Sequence, residues 1–200
     1  FGVYRSLDLF SILVLVLASS QALMFTFMLI LLFDSRYVTF ANVMKHAVPS
    51  LVFILLYVVS CCIEADVCVY SLAEWRACVV HNLPLAVRTL FGVTYTVQLF
   101  VYIRLFFRKK RHYITHLKEL TGECISKLEL RWTMRAFLYA LSIGIGAWVL
   151  LVCPGPIPEF SFSFLIVVFY PAFAWLYTNY HYTYEMLRRF IVEQDGKLTQ

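Results

Sequence analysis

The sequence predicts an all-α, polytopic transmembrane helix bundle of about five spans, and three observations lead there. Of the 200 residues, 62% are hydrophobic and only 14% are charged. An ordinary soluble domain holds about 45–50% apolar and about 25% charged residues. Mean hydropathy of +0.77 points the same way. Second, the charges fall into gaps between long uncharged runs, several of them near the ~20 residues that a helix needs to cross a bilayer. Third, the runs are apolar without alternation, as in Leu13-Val14-Leu15-Val16-Leu17 and Phe164-Leu165-Ile166-Val167-Val168-Phe169. A barrel strand would alternate apolar and polar residues. Disorder is excluded by the hydrophobicity, and six Cys in 200 residues are too few for a disulfide-stapled secreted fold.

The first span is 9–33, between Asp8 and Asp34. Its 25 residues exceed the 7–15 of a signal-peptide core. The second is 47–63, from after His46 to before Glu64, and carries Pro49. The third is 79–103, interrupted only by Arg88. The fourth is 136–153, ended by Pro154-Gly155-Pro156, and the fifth is 160–180, with Pro171 inside it. Pro49 and Pro171 are expected to kink their helices and free carbonyls. The chain opens on Phe1 and not on Met, so the expectation is a piece of a longer protein with helices before or after it.

The loops alternate in charge. Residues 34–46 carry Arg36 and Lys45, while 64–76 carry Glu64, Asp66 and Glu74 against Arg76. Residues 104–135 hold nine Lys or Arg against three Glu. Residues 154–159 carry only Glu159, and the 181–200 tail carries Arg188, Arg189 and Lys197. Lys and Arg are retained on the cytoplasmic side, so 104–135 and the C-terminus are expected inside, in a plasma-membrane protein. Cys61, Cys62, Cys68, Cys78 and Cys153 then lie at the outer end. An oxidising compartment permits a bridge there, with Cys68 and Cys78 as candidates, and buried Cys also serves as a small hydrophobe. The aromatic content of the 64–76 loop suits an interfacial belt.

Arg104, Arg108, Lys109, Lys110 and Arg111 end the third span. Such clusters anchor a helix and bind anionic membrane lipid. Beyond them Tyr113, Leu117, Leu120, Cys124 and Leu128 share one helical face, with Glu123 and Lys127 as an i,i+4 pair. The third span is therefore expected to continue as an amphipathic cytoplasmic helix, with a break available at Thr121-Gly122. Tyr180, Tyr184, Leu187 and Ile191 form a similar face in the tail, either lying on the membrane or prolonging the fifth span.

An ionisable residue inside a span is a functional candidate because burying it is costly. Arg88, with His81 and Asn82 above it, is the candidate for binding a small-molecule ligand from outside. Snorkelling to the interface is the competing reading. Asp34-Ser35-Arg36-Tyr37, at the inner end of the first span, suits an ion pair that holds a signalling switch shut, or plain interfacial anchoring. His112 and His116 have i,i+4 spacing, yet no Glu follows the first His and the segment is basic, so no metal and no cofactor are expected. No nucleophile elbow, phosphate loop or carboxylate pair appears, and an enzyme is not expected. The membrane flanks of the basic loop make nucleic acid a poor partner.

The pattern resembles helices three to seven of a seven-helix G-protein-coupled receptor, closest to divergent nematode serpentine chemoreceptors. Asp34-Ser35-Arg36-Tyr37 stands where that family has Asp-Arg-Tyr. Residues 104–135 resemble its basic third inner loop, Pro171 the proline of its last helix, and 184–191 the amphipathic helix that follows. The resemblance implies a chemosensory receptor with an outward pocket, signalling to a heterotrimeric G protein, with Asp34, Arg36 and Tyr37 as the switch. A second resemblance is to arthropod gustatory receptors. Their helices two to six run in the same directions, and Phe107-Arg108-Lys109-Lys110-Arg111 with Tyr113-Ile114-Thr115-His116-Leu117 is similar to their basic, Leu-rich segment after helix four. That resemblance implies a ligand-gated cation channel subunit.

Overall fold

Among the described residues six helices form, in the order α1 Ile12–Phe33, α2 Phe40–Ile63, α3 Leu72–Cys78, α4 Leu83–Thr121, α5 Glu123–Val152 and α6 Pro156–Leu198. The computed structural model describes residues 7–121 and 123–198, with the side chains of 33, 116–132 and 180–198 outside the description. Among the described residues five helices are long and apolar enough to cross a membrane: Ile12–Leu32, Phe40–Ile63, Leu83–Thr115, Thr133–Val152 and Pro156–Asn179. The chain is thus an all-helical membrane protein. One end of the bundle gathers Asp8, the 64–82 segment and the α5–α6 turn. The other gathers the α1–α2 turn and the basic part of α4. They are called the acidic and the basic end below.

Local chemistry sets most boundaries. α2 starts seven residues earlier than the charge pattern indicates, because Thr39 caps it by accepting the Asn42 N–H at 3.4 Å. Lys45 remains exposed near that end, so a charge there does not stop the helix. The third span begins at Leu83, four residues later than 79, with a separate short helix before it. Ser71 caps the short α3 by accepting from the Glu74 N–H at 3.2 Å, and the Glu74 carboxylate accepts from the Tyr70 N–H at 3.0 Å. A turn at 79–82 then precedes α4, whose first turn is closed by Asn82 Oδ1 accepting from the Leu85 N–H at 3.0 Å. The basic 104–135 region is not an open loop. α4 runs through it to Thr121, and α5 begins at Glu123. α6 opens at Pro156, where a missing N–H costs nothing, and continues without interruption for 43 residues.

α1 is the hub. It packs on α4, α5 and α2, and its Phe25 and Gln21 reach Phe169 and Tyr170 of α6, while α4 also packs on α2 and α5, and α6 on α5. Within the spans, 39% of α1 and of α5 is buried, against 6% of α2 and 11% of α6. α2 and α6 therefore leave most of their apolar surface exposed on the outside of this bundle. Lipid tails are as apolar as Leu, so close packing and internal hydrogen bonds must hold the helices together. Toward the basic end Phe25, Leu29, Phe106, Phe137, Phe169 and Phe173 interlock, with Phe106 and Phe137 stacked at 3.9 Å. Toward the acidic end Leu15, Ala18, Phe91, Tyr95, Ala147 and Leu151 do the same. The hydroxyls of Ser19, Ser20 and Thr26 return to carbonyls of α1 itself.

Candidate functional site

The acidic end is closed by residues 7–10, which form a strap across it. The Leu9 N–H donates to the Val69 carbonyl at 2.8 Å, and the Phe10 N–H to the Leu151 carbonyl at 3.1 Å. The Leu7 N–H donates to Glu159 Oε1 at 2.8 Å. Phe10 turns the chain into α1 with φ +53°. Its ring rests on Gly92, where an added Cβ would lie 2.7 Å from Phe10 Cδ1. Leu9, Val69 and Leu85 fill the space beneath, and Trp75 closes the side while donating to Thr89 Oγ1 at 3.0 Å.

Arg88 holds this end together. Its side chain is 1% exposed and ion-paired with Asp8 through Nη1, with Asp66 Oδ1 3.1 Å from Nη2. Nη2 also donates to the Val67 carbonyl at 2.8 Å. Tyr57 of α2 donates to Asp66 Oδ2 at 2.7 Å. Among the described residues Arg88 Nε and Asp66 Oδ1 are buried without a hydrogen-bond partner. Asp8 and Asp66 keep 18% and 24% exposure, so the two carboxylates retain some hydration. One buried cation thus ties together the strap, the 64–71 segment and α4. Asn82 is likewise engaged by the protein, donating from Nδ2 to the Ala65 carbonyl at 3.0 Å. His81 sits exposed in the turn. Of the three residues considered for ligand binding, Arg88 and Asn82 serve this closure, and among the described residues neither they nor His81 line the cavities described below.

Midway along, Pro49 removes a backbone donor from α2. Beside it the His46 carbonyl accepts from Gln98 Nε2 at 3.4 Å and from the Tyr102 hydroxyl at 3.5 Å. Gln98 and Ser50 are also in contact, at 3.3 Å. Pro171 lies within the unbroken α6. A cavity of about 20 Å3 between α1, α4 and α5 is lined by Thr26, Leu29, Leu99, Tyr102 and Phe137 among others, and a second of about 10 Å3 lies by Tyr95 and Gly144. Each suits about one water, far below the ~300 Å3 of a small-molecule pocket. A roomier apolar recess of about 340 Å3 opens sideways between α5 and α6, over Gly146, Phe162 and Leu165.

At the basic end the switch motif pairs differently from its expectation. Asp34 does not pair with neighbouring Arg36. Its Oδ2 lies 2.9 Å from Lys109 Nζ of α4. Asp34 Oδ1 accepts from the Tyr37 N–H at 3.1 Å, and Lys109 Nζ sits 3.8 Å above the Tyr37 ring. The hydrogen bond and charge of Lys109 hold the Asp34 carboxyl below its usual range. Tyr37 stacks on Phe27, which meets His46 edge-on. The α1–α2 turn is thereby latched to α4, while Arg36 is exposed. Lys109 is the residue that sequence reasoning missed, because a partner 75 residues away leaves no local trace.

Cys61, Cys62, Cys68, Cys78 and Cys153 are free thiols, so the bridge considered for Cys68 and Cys78 is not formed. Among the described residues no three His, Cys, Asp or Glu side chains gather as a metal site. The faces expected at 116–128 and at 180–191 lie outside the described side chains. No family model, curated protein or solved structure matches the chain significantly.

Proposed function

We propose that the chain is the five-helix core of a chemosensory membrane receptor of the gustatory type, helices two to six of a ligand-gated cation channel subunit. The observation that favours this over the G-protein-coupled reading is α6. At 1.5 Å per residue its 43 residues extend about 65 Å, roughly twice the ~30 Å hydrocarbon core. The G-protein-coupled resemblance expects the last helix to turn onto the membrane surface, and α6 makes no such turn. The gustatory resemblance expects a basic, Leu-rich segment directly after helix four, and in this chain that segment is the continuation of α4.

In this reading the basic end faces the cytoplasm, in line with the retention of Lys and Arg there. A small molecule shifts a two-state bundle, and the Asp34–Lys109 latch is the contact that differs between the states. The Arg88 closure stays intact as scaffold. Arg36, outside the latch, plays a lesser part.

The full-length protein with an epitope tag at each end provides the test. Antibody staining of intact and permeabilised cells is expected to find the N-terminus inside and the C-terminus outside. An outside N-terminus with an inside C-terminus would move the assignment to the G-protein-coupled receptor. Both ends on the same side would count against a seven-helix receptor of either kind.

A further inference from the structure

The five cations at the basic end of α4 do not act as one cluster. Lys109 turns inward to Asp34, and Lys110 lies 3.6 Å from Met134 Sδ of α5. Arg104, Arg108 and Arg111 are exposed. At 100° per residue they fall within about 60° of one another on the helix. They continue a stripe of exposed apolar residues on the same side of α4: Leu90, Val93, Val97, Phe100 and Val101. α4 thus presents one lipid-facing stripe that is apolar for three turns and then cationic for two. Among the described residues no carboxylate pairs with these three arginines.

We infer that this stripe binds a membrane lipid whose headgroup carries phosphate beyond the phosphodiester. Arg104 and Arg111 are separated by seven residues, about 10 Å along the axis. In this site Arg104 meets the phosphodiester, and Arg111 reaches about 10 Å further toward the aqueous layer. A headgroup with a single phosphate meets the first only. One with a further phosphate meets both, and Arg108 lies between them. The guanidinium fork suits phosphate oxygens bidentately. The apolar stripe above gives the acyl chains their contact, so the site fits the whole lipid and not the soluble headgroup. This inference needs only the membrane setting and stands apart from the chemosensory reading.

Native mass spectrometry of the full chain in detergent, with added phosphatidylinositol 4,5-bisphosphate, phosphatidylserine and phosphatidylcholine, tests it. The bisphosphate lipid is expected to be retained over the serine lipid, and the choline lipid least. Each cation near such a surface contributes about 1 kcal/mol, about fivefold in affinity. Arg111→Gln is therefore expected to weaken the bisphosphate lipid about fivefold and to leave the serine lipid unchanged. The triple change to Gln at 104, 108 and 111 is expected to remove the preference, a loss on the order of 100-fold. The triple change to Lys preserves charge and is expected to retain most of it, which separates lost charge from lost fold. Soluble inositol trisphosphate at equal concentration is expected not to displace the lipid. Equal retention of the bisphosphate and serine lipids, an unaffected triple Gln variant, or displacement by the soluble headgroup would each overturn the proposal.

Discussion

Replacing Arg88 with Met tests the closure of the acidic end most directly. Met fills much of the volume of the arginine stem but brings no charge. The change deletes two ion contacts and the donor to the Val67 carbonyl. It leaves the Asp8 and Asp66 carboxylates without this cation. Breaking a buried pair by removing one partner costs about 3–5 kcal/mol. The carboxylates keep 18% and 24% exposure, and the resulting hydration places the expected cost at the lower end, about 3 kcal/mol. For a chain of this size each kcal/mol shifts Tm by about 2–4 °C, so a fall of about 6–12 °C is expected in thermal melts of the purified protein in detergent. Adding Asp8→Asn and Asp66→Asn to Arg88→Met removes the uncompensated charge. About half of the loss or more is expected to return, because a neutralised pair is far less costly than a broken one. A melt of Arg88→Met within about 1 °C of the parent chain would refute the ion triad as the element that closes this end. So would a triple variant that melts no higher than the single one.

Three further outcomes follow from the same geometry. Gly92→Ala drives a Cβ into the Phe10 ring at 2.7 Å and is expected to cost about 1–3 kcal/mol by overpacking, read as a lower Tm and reduced by adding Phe10→Leu. Asp34 titrates below its ordinary value of 3.8 because Lys109 holds it charged. Its contribution to stability is whole above that ordinary value and drains as pH falls through the lower folded one. The Tm difference between the parent and Asp34→Asn is therefore expected to be flat from neutral pH to about pH 5 and to close under stronger acid. Arg36→Ala is expected to change stability by less than about 0.5 kcal/mol, as a surface substitution does, while Lys109→Ala is expected to lower Tm measurably and to loosen proteolytic protection of the 34–39 turn.

The membrane class and the five long apolar helices were legible because a helix that crosses the bilayer needs about 20 mostly apolar residues. The helix ends were not, because a helix does not stop where lipid stops. Lys45, Arg104 and Arg108 all sit within helices. α3 carried a readable signal in Ser71-Leu72-Ala73-Glu74, the spacing of a capping box. The partners of Arg88 were half legible. A lone cation in a span requires a counter-charge, and Asp8 and Asp66 were acids expected at the same end. Which of the nearby acids reach it depends on the path of the 64–71 segment, which periodicity does not give. The latch was the least legible. The nearest opposite charge to Asp34 along the chain is Arg36, and the nearest in space is Lys109.

The central position of α1 bears on how the protein is made. Ribosomes deliver about 5–20 residues per second, so the α1–α2 hairpin enters the membrane well before α4 and α5. The side chains that enclose α1, such as Phe91 and Tyr95 of α4 and Ala147 and Leu151 of α5, follow over a period on the order of ten seconds. During that interval α1 waits without these partners. It is equipped to wait, since the hydroxyls of Ser19 and Thr26 are satisfied by its own carbonyls at Val16 and Ala22. Arg88 is not so equipped, and its entry with α4 must coincide with capture by Asp8, already present at the same end. The nascent chain therefore stays an open assembly intermediate until α5 is synthesised, and a chain arrested before that point would show membrane quality control an unfilled hub.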